Sequence, residues 1–370
     1  MDNTKHKVSY RQLMLIFIIG FLAAALGAIP YEAREAGQAS WLAPAVSFVI
    51  MLIPLLLMNN ISSHFKGRGL ANIIREVFGR YIGVIILVAF TLWFIAVASL
   101  YLRGYAEKVV GTVLPGVSVH TLIIPMAVLC AAILSRGLVR FARLNELFFW
   151  FIIAAFFLMT VFAIISGAKL TNLLPVGTAD ALPVLRSSVT VTGIGGFIIL
   201  IYFLIDKVKP EEHTRGKLLG SYGAAMGAAV LIAAVTVGTL GRFSAGRLTY
   251  PYFTVLKSVA FLKPFDSFEA LLLSLWIIAD FVAVTVFAYM AMGVLGQITN
   301  HKSQITNTDT NKKYVLPIIL VAVIYAASIL LWRSKTSLDT FFRIAVTVNF
   351  IIAIAVPVVI FAVGKLRRLL

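Results

Sequence analysis

Asp280 stands in the middle of an apolar run, SLWIIADFVAV, where an ionised carboxylate is expensive. An acid in that setting is protonated, faces a cavity or has a partner. Each option suits proton or cation coupling, and the plain alternative is a hydrogen-bonded structural acid between helices. Trp276 lies one helical turn away on the same face, where it can line a pocket or simply pack. A second grouping precedes residue 200. Ser187, Ser188, Thr190 and Thr192 lead into Gly193, Gly195 and Gly196. Hydroxyls beside freed amide groups can hold a carboxylate or an ion, as half-helix ends do, although Ser and Thr also bond back onto their own helix. Thr91, Trp93, Ser99 and Tyr101 form a weaker set, since Trp and Tyr near span ends, Trp41 among them, commonly form an interfacial belt. No nucleophile elbow, zinc-protease or phosphate-loop pattern occurs, and His6, His64, His120, His213 and His301 are scattered. The reading is of a protein that is not an enzyme, with no cofactor and no metal.

The elements that must position these residues are apolar runs of membrane-spanning length. A helix needs roughly 20 mostly apolar residues to cross a bilayer. Ten runs qualify, at about 12–31, 42–59, 81–102, 119–135, 145–167, 187–205, 218–240, 270–296, 314–332 and 341–363. Apolar residues make up 61% of the 370-residue chain and charged ones 13%, too much apolar surface for one soluble core. The expectation is an all-α polytopic membrane protein forming a single integral membrane domain over 1–370. The formal charge of +17 reads as topology and anionic-lipid contact rather than nucleic acid. With the N-terminus inside, most of the 32 Lys and Arg fall on the inner segments, which predicts both termini in the cytoplasm. Cys130, the only cysteine, excludes an intrachain disulfide. Lys5, Lys7 and Arg11 imitate a signal peptide, but the run after them is long and nine more follow, so it reads as the first helix.

Loop patterns predict a repeat. Leu70, Ile73, Ile74 and Val77 describe an amphipathic surface helix between spans two and three. Phe253, Leu256, Val259 and Ala260 describe another between spans seven and eight, while Gln297 to Lys313 reads as a polar cytoplasmic loop. Five spans is an odd number, so a second set enters the membrane inverted. That gives a five-plus-five inverted repeat, the first about 10–170 and the second about 171–370. The first span of each half carries backbone breakers: Gly20, Gly27 and Pro30 in one, Gly193, Gly195 and Gly196 in the other. Interrupted spans in matching positions point to a midplane site, against the alternative that glycines let helices pack closely.

Several stretches resemble the spore germination permease family, the B-subunits of nutrient germinant receptors, within the amino acid–polyamine–organocation superfamily. They are Val8-Ser9-Tyr10-Arg11-Gln12 with Pro30 following, Asn172-Leu173-Leu174-Pro175-Val176, Tyr250-Pro251, Asp266-Ser267-Phe268-Glu269 and Leu275-Trp276. The chain departs from the family pattern at Ala23-Ala24-Ala25, where a Gly-x-Gly is usual, at Ala39, at Ile198 in place of a glutamate, and near Ile205.

The resemblance implies a LeuT-type fold in the inner membrane of the spore, and a receptor subunit that binds a small nutrient such as an amino acid. It would signal to partners, a large membrane subunit and a lipoprotein. On that reading backbone at Ala25, Gly27, Ala28, Gly193, Gly195 and Gly196 holds the ligand's charged groups. Trp93, Thr190, Thr192 and Trp276 shape the pocket, and Asp280 serves ion or proton coupling. Two alternatives stand beside it: a proton- or cation-coupled amino acid transporter, and a structural subunit without a ligand.

Overall fold

The computed structural model describes residues 7–210, 214–258, 268–299 and 310–370. Val259, Ala260, Asp266, Ser267, His6, His213, His301 and most of the polar 297–313 stretch lie outside the described residues. Among the described residues thirteen helices follow one another: α1 (Tyr10–Ala36), α2 (Ala43–His64), α3 (Leu70–Phe78), α4 (Arg80–Thr112), α5 (Val119–Arg136), α6 (Leu138–Gly167), α7 (Ala181–Gly195), α8 (Phe197–Leu200), α9 (Thr214–Arg247), α10 (Pro251–Ser258), α11 (Phe268–Thr299), α12 (Thr310–Leu330) and α13 (Lys335–Leu366). Short 3-10 segments, Gly37–Leu42 and Ile201–Lys207, join α1 to α2 and continue α8. Among the described residues there is no strand, only an isolated bridge between Val8 and Val208.

The protein is therefore all-α. Among the described residues eight helical stretches are long and apolar enough to cross a membrane, the first of which, Tyr10–His64, contains both α1 and α2; Tyr314–Leu330 is a shorter apolar helix. α1 is apolar on every side and buried along most of its length, as a helix without a polar face must be. It packs on α6, α7, α9 and α11, with α4 against α11 and α12 beyond it. The apolar side chains left exposed, such as Ile53, Val128, Leu147, Phe157 and Ile319, face outward from α2, α5, α6 and α12, as lipid-facing positions do.

The start of α1 is fixed by a capping box. Ser9 Oγ accepts from the Gln12 backbone N–H at 3.1 Å, and Gln12 Oε1 accepts from Ser9 N–H at 3.1 Å. Gln12 Nε2 also donates to Glu146 Oε2 at 2.9 Å, so Glu146 ties α6 to α1. The amphipathic α3 forms as expected, with Leu70, Ile73, Ile74 and Val77 buried.

The two glycine-bearing spans behave differently from the expectation. α1 runs as one helix from Tyr10 to Ala36, through Ala23 to Ala28 and past Pro30. Alanine is the best helix former, and three alanines stand where the family pattern has a Gly-x-Gly. The backbone at Ala25 and Ala28 is therefore committed to the helix. The span from 181 to 207 does change character at Gly196, from α-helix to a short turn and then a 3-10 segment. It stays wound, however: Gly196 N–H donates to Thr192 C=O at 2.6 Å. Its glycines serve close packing. A Cβ on Gly193 would lie 2.0 Å from the Val346 carbonyl oxygen of α13, and one on Gly196 would lie 2.6 Å from Ala353 Cβ.

That contact yields a paired prediction. Gly193→Ala forces α7 off α13 and lowers stability by about 1–3 kcal/mol or more. Gly227→Ala, with nothing within 4 Å of the added carbon, leaves stability unchanged or raises it by up to about 1 kcal/mol. Thermal unfolding of the two purified variants checks this, and equal loss in both would remove the packing explanation.

Candidate functional site

A cavity of about 230 Å³ lies between α1, α4, the α7–α8 junction, α11 and α13. It is smaller than the roughly 300–1,000 Å³ typical of drug-sized ligand pockets, a volume suited to a small solute. Phe197 and Phe287 close one end, with ring centroids 5.7 Å apart, and Phe17 stacks behind Phe197 at 4.9 Å. At the other end, around Tyr31, Tyr250 and Phe342, the side chains of Arg34, Lys335 and Arg343 are exposed. A more open depression of about 610 Å³ shares Arg34 and continues over Arg242 and Arg247.

The buried wall beside Tyr250 carries the charge expected from sequence and its partner. Asp280 on α11 forms an ion pair through Oδ2 with Lys108 Nζ of α4, the two side chains 2% and 11% exposed. Lys108 Nζ also sits 4.7 Å from the Trp276 ring centre, a cation–π contact that strengthens on desolvation. Trp276 in turn meets Tyr250 edge-on at 5.4 Å. Two atoms there lack hydrogen-bond partners among the described residues: Asp280 Oδ1, an acceptor, and Trp276 Nε1, a donor. Tyr250 lies between α9 and α10. Burial first, then the carboxylates of Asp280, Asp339 and Glu107, hold its phenol well above its ordinary range. It is thus a neutral hydroxyl throughout the physiological pH range.

Of the residues singled out from sequence, Gly27 and Asp280 line the cavity, and Tyr101 does so from the weaker set. Trp276 stands behind Lys108. Trp93 is off the wall, but its Nε1 donates to the cavity residue Asn349 at Oδ1, 2.9 Å away. Ala25 and Ala28 are buried in helix packing. Thr190 is half-buried on α7. Thr192 Oγ1 donates to Ser47 Oγ at 2.9 Å, and Ser47 meets the Tyr222 hydroxyl at 3.2 Å, a buried hydroxyl chain joining α7, α2 and α9. Ser188 bonds back to the Leu185 carbonyl at 2.7 Å. Gly193, Gly195 and Gly196 contact neighbouring helices.

The apolar run at 81–102 ends before Lys108. In the structure α4 continues through it to Thr112, and Tyr101, Tyr105 and Lys108 recur at helical spacing on one face, a signal that could have extended the helix. Glu32, near the end of α1, is a second buried acid, 4% exposed, with no ion pair among the described residues.

These features define an all-helical, multi-pass membrane protein with a small charged cavity between α1, α4, the α7–α8 junction, α11 and α13. The chain belongs to a family of spore germination proteins, the spore permeases, whose profile matches residues 7–336. It is similar to spore germination protein YndE of Bacillus subtilis strain 168, with 23% identity over 309 residues, covering 82% of this chain and 84% of the relative.

The ion pair generates a prediction. Lys108→Met leaves the Asp280 carboxylate buried and unpaired, which costs about 3–5 kcal/mol. Lys108→Met with Asp280→Met recovers most of that loss, because an apolar pair of similar volume is often neutral or better. Thermal unfolding of both variants in one lipid or detergent decides it; a double variant no more stable than the single would show that the charges are not coupled.

Proposed function

We propose that this protein is the membrane subunit of a spore germinant receptor, that it binds a small nutrient in the cavity between α1, α4, α7, α11 and α13, and that it passes that event to partner subunits. The observation that carries the reading is the cavity itself: solute-sized, charged on its walls, and enclosed by the helices of a chain that belongs to a germination family. Gly27, Tyr101, Asp280 and Asn349 contribute its surface, with Trp93 and Trp276 supporting it from behind. The partners are a large membrane subunit and a lipoprotein, in the inner membrane of the spore with both termini cytoplasmic.

We read the architecture as ten spans in a LeuT-type five-plus-five repeat. Helix contacts support it by recurring with the halves exchanged. α1 packs on α9 as α7 packs on α2, α1 on α6 as α7 on α13, and α4 on α12 as α11 on α5. The short helices obey the same exchange: α3 touches α13 and the 201–207 segment, while α10 touches α6 and α1. A coupled transporter on this fold is the second reading. Glu32 favours it, being a buried acid without an ion pair, since membrane-embedded acids commonly mark proton or ion pathways.

Spores lacking this protein should lose the germination response to one nutrient class and keep the others. That nutrient should stabilise the purified protein by about 2.7 kcal/mol at a hundredfold excess over its Kd. Saturable, proton-gradient-dependent uptake of the same nutrient into proteoliposomes would favour the transporter. Loss of germination without stabilisation by any nutrient would leave a structural subunit.

A further inference from the structure

We infer that the Lys108–Asp280 ion pair is the device that reads the solute's charge, and that it accepts a molecule bearing an ammonium and a carboxylate on one carbon. This rests on the nutrient-binding reading above. In an interrupted-helix site, freed main-chain groups hold a ligand's charges. Here α1 is continuous through the cavity wall, and the Gly196 N–H is taken by Thr192. Side chains must then do the recognising, and the cavity holds six charged ones: Arg34, Lys108, Lys335 and Arg343 against Asp280 and Asp339.

The exposed and buried charges divide the work. Arg34, Lys335 and Arg343 at the exposed end give an excess of positive charge that draws in a carboxylate-bearing solute. Lys335 is anchored there by donating from Nζ to Thr249 Oγ1 at 3.1 Å. On the buried wall beside Tyr250, Lys108 and Asp280 present opposite charges side by side. A zwitterion with adjacent charges can lie against them head to tail, its ammonium on Asp280 and its carboxylate on Lys108. The incomplete bonding of the pair also points to a ligand. Asp280 Oδ1 is a buried acceptor without a donor, and Trp276 Nε1, one turn away on the same helix face, is a buried donor without an acceptor. A ligand ammonium satisfies the acceptor, since Asp280 lines the cavity. A solute with only one of the charges leaves one member of the pair uncompensated, and truncating one side of a buried charged contact costs 2–5 kcal/mol or more in comparable interfaces.

The test uses the full-length protein in lipid nanodiscs, with ligand-induced thermal stabilisation titrated for each of the twenty L-amino acids and for a set of neutral sugars. Each amino acid that stabilises is compared with its deamino acid and its decarboxylated amine, and with its own binding to Asp280→Asn. The expected result is at least one amino acid hit whose two analogues, and whose binding to Asp280→Asn, are weaker by about a hundredfold or more. An analogue within tenfold of its parent, or unchanged binding to Asp280→Asn, overturns the inference while nutrient binding stands. Stabilisation by sugars alone does the same. No stabilisation by either set overturns the inference and the nutrient reading together. Should Asp280→Asn fail to fold, the analogue comparison on the unmodified protein decides alone.

Discussion

Within a bilayer a polar group can be satisfied only by the protein that carries it, and this constraint orders the molecule from its centre outward. α1 meets it by being apolar on all sides and unbroken, so its backbone asks nothing of its neighbours. α7 meets it by remaining wound at Gly196, where a loosened turn would expose amide groups. The hydroxyls of Thr192, Ser47 and Tyr222 meet it by bonding to one another. The two charges that cannot be hidden this way, Lys108 and Asp280, are placed face to face. Asp280 Oδ1 and Trp276 Nε1 are among the buried polar atoms that lack a hydrogen-bond partner in the described residues.

The fold was legible in the sequence to the extent that hydropathy carries it. Each apolar run lies on helical residues, and α3 buries the face its periodicity implied. Asp280 was legible because a carboxylate in the middle of an apolar run has few explanations. Lys108 was not, because hydropathy marks where a span leaves the apolar core and not where its helix ends. α4 carries its charged last turns back toward α11 beyond that point. Glu32, just past the first apolar run, lies on α1 for the same reason.

Glycine was ambiguous for a different physical reason. The same missing Cβ that lets a helix come apart lets two helices approach, and a single sequence does not separate these uses. At Gly193 the approach is decisive, with the Val346 carbonyl occupying the space a side chain would need. In α1 the informative residues were the alanines. Ala23 to Ala25 restore full helix propensity where a glycine pair would have lowered it by about 1 kcal/mol per residue. The continuity of α1 is thus written in its composition.

A continuous α1 changes what the cavity can be asked to do. Main-chain groups freed by a break bind through fixed partial charges and are indifferent to most substitutions nearby. Side-chain ions bind through full charges that one mutation removes or reverses. A site of the second kind is more easily retuned to a new solute while the helices around it stay put. Its cost is the desolvation of each ion when no ligand is present. On the proposed reading the Lys108–Asp280 pair limits that cost, because each charge serves as the other's partner until a solute replaces it.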